Sequence, residues 1–362
     1  MRQTTFIHTS DLQLGMRRKF LSPEAQSRFD DARLRAVARL GEIAEERSAD
    51  FIVVAGDVFE HNSLESVTRG RAMEALRKLP VPVYLLPGNH DPLVADSIFH
   101  RTEGIEGVTV LSDSAPVEVR EGVEVIGAPL LTKHASEDLC AKAIHDLEPT
   151  EAVRILVGHG AVEGFGEEDA QALIDVVHLD AAIEQGVIDY VALGDTHSTA
   201  SLSASKRVWF SGAPETTDYF DRTPGVAGGE VDSGNALLVT VDKDGLHAQV
   251  EVEKVPVGTW TFEARSWEVT GADDVADVVA ADVTPHLVTD LDANRTLLAQ
   301  LLERHLPSVH WRPVEATYLA WLDLRELDLG DDPAVRLRQD ARVALMSGPP
   351  FGAGEGQTLQ TP

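Results

Sequence analysis

The chain has 362 residues, enough for a main domain with its own hydrophobic core and a smaller second part. A formal net charge of −29 argues against a protein that grips nucleic acid through a large basic surface. The single cysteine, Cys140, excludes an intramolecular disulfide and a zinc thiolate cluster, and no stretch approaches the roughly 20 apolar residues of a membrane span, so we expect a soluble, cytoplasmic protein.

Strands alternate with helices over the first part of the chain. Aliphatic and β-branched runs predict strands at residues 4–8, 51–55, 83–86, 155–157 and 190–193. Further patterns predict helices at 25–47, 63–79 and 136–147, short strands at 108–111, 117–119 and 123–126, and a hairpin formed by 235–241 and 247–254. Together they favour an α/β fold in which two sheets pack together with helices outside.

After residue 254 the composition changes, and residues 271–283 are acidic and rich in alanine and valine. The remaining patterns predict a helix at 291–306, strands at 309–312 and 316–322, a helix at 333–345 and an irregular Gly/Pro-rich end at 348–362. We therefore divide the chain into a main domain at 1–262, a linker or partial cap at 263–290 and a small α+β tail at 291–362.

Short blocks along the main domain set a metal-binding or proton-handling side chain at the end of a predicted strand. They lie at residues 10–15, 56–59, 88–91, 158–160 and 194–197. Carboxylate, amide and imidazole groups beside glycines are what a two-metal phosphoester-cleaving site requires, because glycines let backbone and ions approach closely. In such a site a carboxylate bridges two ions about 3.5–4 Å apart, and the hydroxide held between them attacks phosphorus in line.

The blocks supply a candidate ligand for each position. We expect Asp57 to be the bridging carboxylate, with Asp11 and His197 on the first ion and Asn89 and His159 on the second. Oxygen and nitrogen ligands of this kind suit Mn²⁺, with Mg²⁺ or Fe²⁺ as alternatives, better than a structural zinc. The cofactor is therefore predicted to be a pair of divalent metal ions.

Other residues near these blocks are candidates for catalysis and substrate binding. His90 would stabilise the transition-state charge or protonate the leaving oxygen, and Asp91 would fix the tautomer of that histidine. A basic loop and the residues after the second block are candidates for contact with substrate, with exposed solvated loops as the alternative interpretation. The substrate candidates are Arg17, Arg18, His61 and Asn62.

The blocks and their order resemble the calcineurin-like metallophosphoesterase superfamily, whose signature is D-x-H, G-D, G-N-H-D, G-H and G-H-x-H. Within it, residues 8–11, 56–62, 86–91 and 211–215 resemble the SbcD-like DNA repair exonucleases. The resemblance covers residues 1 to about 265. It implies a four-layer αββα fold, manganese-dependent hydrolysis of DNA phosphodiesters and an SMC-like ATPase as partner.

Two ligand positions depart from the family pattern. Gln13 stands where the family usually has a histidine, and Asp195 stands where the first histidine of G-H-x-H is expected. An amide oxygen is a weaker ligand than imidazole, whereas the aspartate adds negative charge, so the site shifts toward harder ions such as Mn²⁺ or Mg²⁺. The alternative is an eroded site; we favour retuning because the remaining ligands are intact and Asp195 can still coordinate.

The tail resembles a different family. Residues 291–295, 315–323 and 343–356 resemble the small domain of MalY/PatB-type cystathionine β-lyases, which use pyridoxal phosphate. That chemistry needs a lysine for the internal Schiff base, and no lysine follows Lys254, so we expect no pyridoxal phosphate. The tail is either a docking or packing module or the mark of a fused sequence. It puts the usual surface for an SMC-like ATPase in doubt.

Alternative functions stay open from the sequence. The leading hypothesis is a metal-dependent phosphodiesterase that acts on DNA. The strong negative charge favours a second hypothesis, in which the same metals act on a small phosphoester or nucleotide. A third treats Gln13 and Asp195 as lost ligands and makes the chain a catalytically weakened scaffold.

Overall fold

A computed structural model describes residues 2–19, 21–162, 172–218, 229–262, 284–311, 320–327, 329, 333–340, 346–347 and 357–360. The chain divides into two compact units, Met1–Ala264 and Arg265–Pro362. The predicted linker at 263–290 lies outside the described residues as far as 283, and helix begins at Thr284. Within the described ranges, no helix has both the length and the apolar character needed to cross a bilayer.

The first unit contains two six-stranded sheets. Its strands are β1 (Arg2–Thr9), β2 (Phe51–Val54), β3 (Val83–Leu85), β4 (Val108–Val110), β5 (Val117–Arg120), β6 (Val123–Gly127), β7 (Val153–His159), β8 (Tyr190–Gly194), β9 (Ala200–Ser201), β10 (Val208–Phe210), β11 (Asn235–Asp244) and β12 (His247–Pro256). Its helices are α1 (Pro23–Glu46), α2 (Ser66–Arg77), α3 (Leu139–Ile144) and α4 (Val176–Glu184). The strand orders are β12-β11-β1-β2-β3-β4 and β5-β6-β7-β8-β10-β9.

The middle of each sheet is parallel, which decides where the loops meet. Strands β1 to β4 pair in parallel, and so do β6, β7, β8 and β10. The hairpin β11–β12 adds to the first sheet by antiparallel pairing with β1. Because parallel strands end at the same edge of a sheet, the loops after β1, β2 and β3 lie together, as do those after β7 and β8.

Three buried clusters separate four layers. Phe6 and Phe51 of the first sheet pack against residues such as Ile155 of the second, and this cluster fills the space between the sheets. A second cluster joins α1 and α2 to the outer face of the first sheet. A third joins α3 and α4 to the outer face of the second sheet. The predicted α/β sandwich with helices outside is therefore confirmed.

The predicted elements of the first unit agree with the structure apart from their ends. Helix α3 is shorter than the predicted 136–147, and the hairpin strands extend to Asp244 and Pro256. Helix α4 and the short strands β9 and β10 were not predicted. Elements this short have too few residues for hydrophobic periodicity to separate them from loop.

The second unit is a small α+β unit. Its elements are α5 (Thr284–His305), β13 (His310–Trp311), β14 (Ala320–Asp323), α6 (Pro333–Asp340), β15 (Met346–Ser347) and β16 (Gln357–Gln360). The strands form an antiparallel sheet in the order β13-β14-β16-β15. Helix α5 starts before the predicted residue 291, and the predicted irregular end contains β16, because pairing with β14 supplies order that local composition does not reveal. Residues 351–356 of the lyase-like motif lie outside the described residues.

An ion pair joins the two sheets of the first unit. Lys243 Nζ on β11 lies 2.7 Å from Asp189 Oδ2, just before β8, and also donates to the carbonyl oxygen of Ala152 at 2.8 Å.

Removing one partner of a buried pair leaves an unpaired buried charge, so Lys243→Met should lower the free energy of unfolding by about 3–5 kcal/mol in urea denaturation.

The control for this measurement is Lys254→Met on the same hairpin. Lys254 forms an exposed pair with Asp232, Nζ to Oδ2 2.7 Å, and such pairs contribute at most about 1 kcal/mol. Equal losses of stability in the two variants would contradict a structural role for the buried pair.

Candidate metal centre

The predicted ligands come together where the strand ends of the two sheets meet. Asp11, Asp57 and His159 are buried, and one ligand atom from each lies within 4.8 Å of the others. Asp11 and Asp57 follow neighbouring parallel strands, β1 and β2, whereas His159 ends β7 in the other sheet. The site is therefore built at the junction of both sheets.

The backbone of these ligands is unusual. Asp11, Gln13, Asp57 and Asp195 have φ values of 52°, 40°, 53° and 118°, in a region that residues other than glycine rarely adopt. Among the described residues only Ser48 and Lys206 share this property without being predicted ligands. Such conformations cost about 1–3 kcal/mol each and collect at functional sites. The strain supports the ligand set independently of the sequence motifs.

His159 lies against three other predicted ligands. Its Nε2 is 3.4 Å from Asp57 Oδ1, 3.2 Å from Asn89 Oδ1 and 3.7 Å from Asp195 Oδ1. Its Nδ1 lies 2.8 Å from the carbonyl oxygen of Ala55, which can only accept, so Nδ1 carries the proton. Nε2 faces the three oxygens named above, and once it gives up its proton its lone pair is available to a metal ion.

Two buried oxygens at the site have no hydrogen-bond partner. Asp11 Oδ2 accepts from Ser10 Oγ at 2.5 Å and from the backbone N–H of Asp195 at 3.3 Å, but Asp11 Oδ1 accepts nothing, and neither does Gln13 Oε1. An unpaired buried oxygen costs about 1–3 kcal/mol. Bound cations would give such oxygens a partner, and Asp11 Oδ1 belongs to the cluster with Asp57 and His159, so these residues fit the metal centre that the sequence predicts.

His197 is oriented by residues that no motif marks. Its Nδ1 lies 2.8 Å from Glu230 Oε1 and 2.9 Å from Thr217 Oγ1, which leaves Nε2 for a ligand. Burial lowers the pKa of His197, but the Glu230 hydrogen bond and the nearby Asp11 carboxylate outweigh burial and raise it. Burial raises the pKa of Glu230, and the bonds with His197 and Thr217 lower it to about 2. Glu230 lies in a loop rich in glycine and aspartate, where nothing in the sequence distinguishes it.

His90 lies beside the buried cluster and is accessible to solvent. Its side chain is 39% exposed, its backbone N–H donates to Asp57 Oδ1 at 3.0 Å, and its Nε2 lies 4.0 Å from Asp57 Oδ2. Its Nδ1 lies 3.0 Å from the carbonyl oxygen of Glu60 and therefore donates to it. The tautomer of His90 is thus fixed by Glu60.

The predicted pairing of Asp91 with His90 is wrong. The two carboxylate oxygens of Asp91 accept the backbone N–H groups of Phe59 and Gly88, each at 2.8 Å. Burial raises the pKa of Asp91 to about 8. Through these two bonds, Asp91 connects the second block to the third. The prediction failed because side chains adjacent in sequence need not point to the same side of the backbone.

Asn62, a substrate candidate, has a structural role. Its Oδ1 accepts from the backbone N–H of Ile98 at 3.0 Å and from Ser97 Oγ at 3.1 Å, and its Nδ2 donates to the carbonyl oxygen of Pro92 at 3.0 Å. The amide therefore fixes the segment after the third block. These bonds would have to break before Asn62 could bind a substrate.

The other substrate candidates lie at the surface. His61 and Arg17 are exposed, and the guanidinium of Arg17 lies 4.0 Å from a Glu65 carboxylate oxygen. Arg18 is more enclosed, and its Nη2 lies 3.9 Å from Asp218 Oδ2. Acidic partners thus offset both arginines, and their contact with a substrate stays a prediction.

Two glycines of the motifs are required by close approach. A Cβ atom at Gly88 would lie 2.1 Å from Asp57 Oδ1, and one at Gly56 would lie 2.1 Å from His159 Nδ1. Gly56 also has a φ of +89°. Neither position can take a side chain without moving a ligand, which explains why glycine precedes Asp57 and Asn89 in the sequence.

Known proteins resemble parts of this chain. The family model for calcineurin-like phosphoesterases matches residues 4–199. The DNA double-strand break repair protein Mre11 of Archaeoglobus fulgidus is 30% identical over 220 residues, 53% of this chain and 45% of that protein. The uncharacterized metallophosphoesterase YhaO of Bacillus subtilis is 28% identical over 212 residues, 55% of this chain and 50% of YhaO.

A shorter match concerns the other resemblance. Protein MalY of Escherichia coli is 36% identical over 63 residues, which is 17% of this chain and 16% of MalY. The predicted resemblance to MalY is therefore confirmed, but only over a short segment. This chain spans half or less of the length of each of these relatives.

The orientation of His197 gives a test of the site. Glu230→Gln removes the carboxylate charge that holds Nδ1 while keeping the side-chain size, so Mn²⁺ affinity should fall about 10–100-fold in calorimetric titration. Glu253→Gln is the matched control, because Glu253 is an exposed carboxylate on β12 that pairs with Arg47. Unchanged affinity in Glu230→Gln would show that His197 needs no such support or binds no metal.

Proposed function

Because this chain belongs to the calcineurin-like phosphoesterase family, we propose that it is a metal-dependent phosphodiesterase that acts on DNA, most closely of the SbcD-like exonuclease type. Membership in this family supports phosphoester hydrolysis with divalent metals. The observation that carries the proposal is the buried cluster of Asp11, Asp57 and His159, in which Asp11 Oδ1 has no hydrogen-bond partner. Similarity to a protein named for DNA double-strand break repair supports DNA as the substrate class.

The ligand set divides around Asp57, which we assign as the bridge. Asp11, Gln13 and His197 would hold the first cation, and the second would be held by Asn89, His159 and Asp195. The chemistry that two divalent cations supply when bound is polarisation of phosphoryl oxygens and activation of water. The protein fixes the positions of these ligands through Ala55, Glu230 and the neighbouring backbone.

His90 is placed to act on the substrate itself. Its side chain is exposed beside the buried cluster, and its backbone N–H donates to the carboxylate of Asp57. Since Nδ1 donates to the Glu60 carbonyl oxygen, Nε2 is the atom that would carry a proton to the leaving oxygen. We assign His90 as the general acid or the residue that stabilises charge in the transition state.

Several finer points stay predictions. Manganese as the metal and the cytoplasm as the location stay predictions from the sequence, and an SMC-like ATPase partner is implied by the resemblance alone. Gln13 and Asp195 make the ligand set richer in oxygen, which favours Mn²⁺ or Mg²⁺ over softer ions. Asp195 Oδ1 lies 3.7 Å from His159 Nε2, where it can still coordinate a cation, so we favour a retuned over an eroded site.

A second candidate function is hydrolysis of a small phosphoester or nucleotide. The net charge of −29 favours it, because a long polyanion would be repelled unless a local basic surface offset that field. The predicted basic residues Arg17 and Arg18 already face acidic partners. A small substrate needs only the cluster and His90.

A digestion assay separates these functions. The protein with Mn²⁺ should degrade single- or double-stranded DNA, and EDTA should stop it. Asp57→Ala should reduce cleavage to background, because the bridge is lost, whereas Asp146→Ala, at a side chain 98% exposed, should cleave normally. Turnover of bis-p-nitrophenyl phosphate without DNA degradation would favour the small-substrate function. A fully active Asp57→Ala protein would overturn both.

Gln13 tests whether the site is retuned. Gln13→His restores the stronger imidazole ligand, so the affinity of the first Mn²⁺ should rise about tenfold, equivalent to about 1.4 kcal/mol. Calorimetric titration measures it, and Gln249→His on the exposed face of β12 is the control for an added histidine. Equal affinity in Gln13→His and the unmodified protein would count against Gln13 as a ligand.

A further inference from the structure

Arg33 is a charged residue on the buried face of helix α1. It is 2% exposed, and its neighbours one turn before and after, Phe29 and Val37, are 0% and 1% exposed. Burying a guanidinium is costly because its charge loses water, so a fold keeps one only where it makes specific bonds. An aliphatic residue would satisfy the packing of α1 better. The position therefore calls for an explanation outside the helix.

The guanidinium binds the backbone of residues 11–13, named here the first ligand loop because it carries the predicted ligands Asp11 and Gln13. Nε donates to the carbonyl oxygens of Leu12 at 3.0 Å and Gln13 at 3.3 Å, and Nη2 donates to that of Asp11 at 3.3 Å. One cation thus holds three consecutive carbonyl groups. Asp11 and Gln13 are the residues of this loop with positive φ. Bonds to a charged donor contribute about 1.5–3 kcal/mol, enough to offset the strain of such residues.

Aromatic rings hold the guanidinium in place. Arg33 Cζ lies 5.3 Å from the ring centre of Phe29, a cation–π distance. Edge-on contacts place Trp260 at 5.5 Å and Phe262 at 6.3 Å from the same ring, centre to centre. The rings limit the orientations that the Arg33 side chain can adopt, so its guanidinium N–H groups keep pointing at the first ligand loop.

Glu215 fixes the position of these rings. It is 1% exposed and accepts the backbone N–H of Trp260 at 2.9 Å and that of Thr259 at 3.0 Å. These bonds hold the segment after β12 against α1. The contacts run without interruption from Glu215 through Trp260 and Phe29 to Arg33.

We propose that Arg33 is a positioning residue of the metal centre, which keeps the first ligand loop in the conformation that leaves Asp11 Oδ1 and Gln13 Oε1 free to bind a cation. Arg33 does not touch the reacting atoms; it acts through the carbonyl groups of the loop. The inference rests on the proposed function, because the loop carries ligands of the proposed metal centre. Without the guanidinium donors, the strained residues lose the bonds that hold them at positive φ.

Mn²⁺ binding tests this role without relying on activity. Arg33→Met keeps a long apolar side chain but removes every donor, so the affinity of one of the two Mn²⁺ ions should fall at least tenfold in calorimetric titration. The Mn²⁺ electron paramagnetic resonance spectrum should change with it, because the ligand geometry changes. Arg33→Lys keeps the charge and one donor group and should recover part of the affinity.

The control is Arg39→Met on the same helix, where the exposed guanidinium pairs with Glu42 and Glu46. Its Mn²⁺ affinity and spectrum should match those of the unmodified protein. Near-ultraviolet circular dichroism without metal reports whether each variant is folded. If Arg33→Met does not fold, Arg33→Lys carries the test, because a weaker Mn²⁺ site in that folded variant supports the proposal and an unchanged site overturns it.

The outcomes separate this inference from the proposed function. An unmodified protein that binds no Mn²⁺ overturns the metal centre itself. An unmodified protein that binds two ions, together with a folded Arg33→Met protein of equal affinity and spectrum, overturns only the role of Arg33. Lower stability in Arg33→Met with unchanged Mn²⁺ affinity would make Arg33 a purely structural residue and has the same consequence.

Discussion

The metal centre depends on one backbone arrangement, in which the loops after β1 and β2 are hydrogen-bonded to each other. Asp11 N donates to Gly56 O at 3.1 Å, Gln13 N to Asp57 O at 2.8 Å and Leu14 N to Val58 O at 2.9 Å. The loops therefore behave as one piece that carries two carboxylates at positive φ. His159 joins them from the other sheet through its bond to Ala55 O, so the geometry of the site follows from the packing of the two sheets.

Charge would give this candidate site an affinity for cations. Burial raises the pKa of Asp11, and it raises that of Asp195 to about 6. Burial also opposes ionisation of Asp57, but its interactions with His159, together with smaller ones with His90, outweigh burial and lower the pKa of that carboxyl. A cation between these groups favours their ionised forms, so metal binding is coupled to proton release. Glu230 and Arg33 then supply fixed charges that orient His197 and the first ligand loop.

The sequence was sufficient to predict the two-sheet sandwich and the proximity of Asp11, Asp57 and His159. Each of these residues comes at the end of an aliphatic run, and parallel strands end at the same edge of a sheet. The sequence was not sufficient for contacts made across the fold. Nothing local marks Glu230, and the predicted pairing of Asp91 with His90 failed because the Asp91 carboxylate accepts the backbone N–H groups of Phe59 and Gly88 instead. Arg33 could have been noticed from the sequence, because it places a charged residue among the apolar residues on the buried face of α1. Strand β16 depends on pairing with β14, and the two strands are too far apart in sequence for a local pattern to reveal that pairing.

The central claim is that ligands distant in sequence hold two divalent cations around Asp57. Anomalous X-ray diffraction from crystals grown with Mn²⁺ tests it most directly. The account predicts two manganese peaks about 3.5–4 Å apart, both bound to the Asp57 carboxylate, with Asp11 on one and His159 on the other. Manganese absent from Asp57, or bound there as a single ion with saturating Mn²⁺, would contradict it.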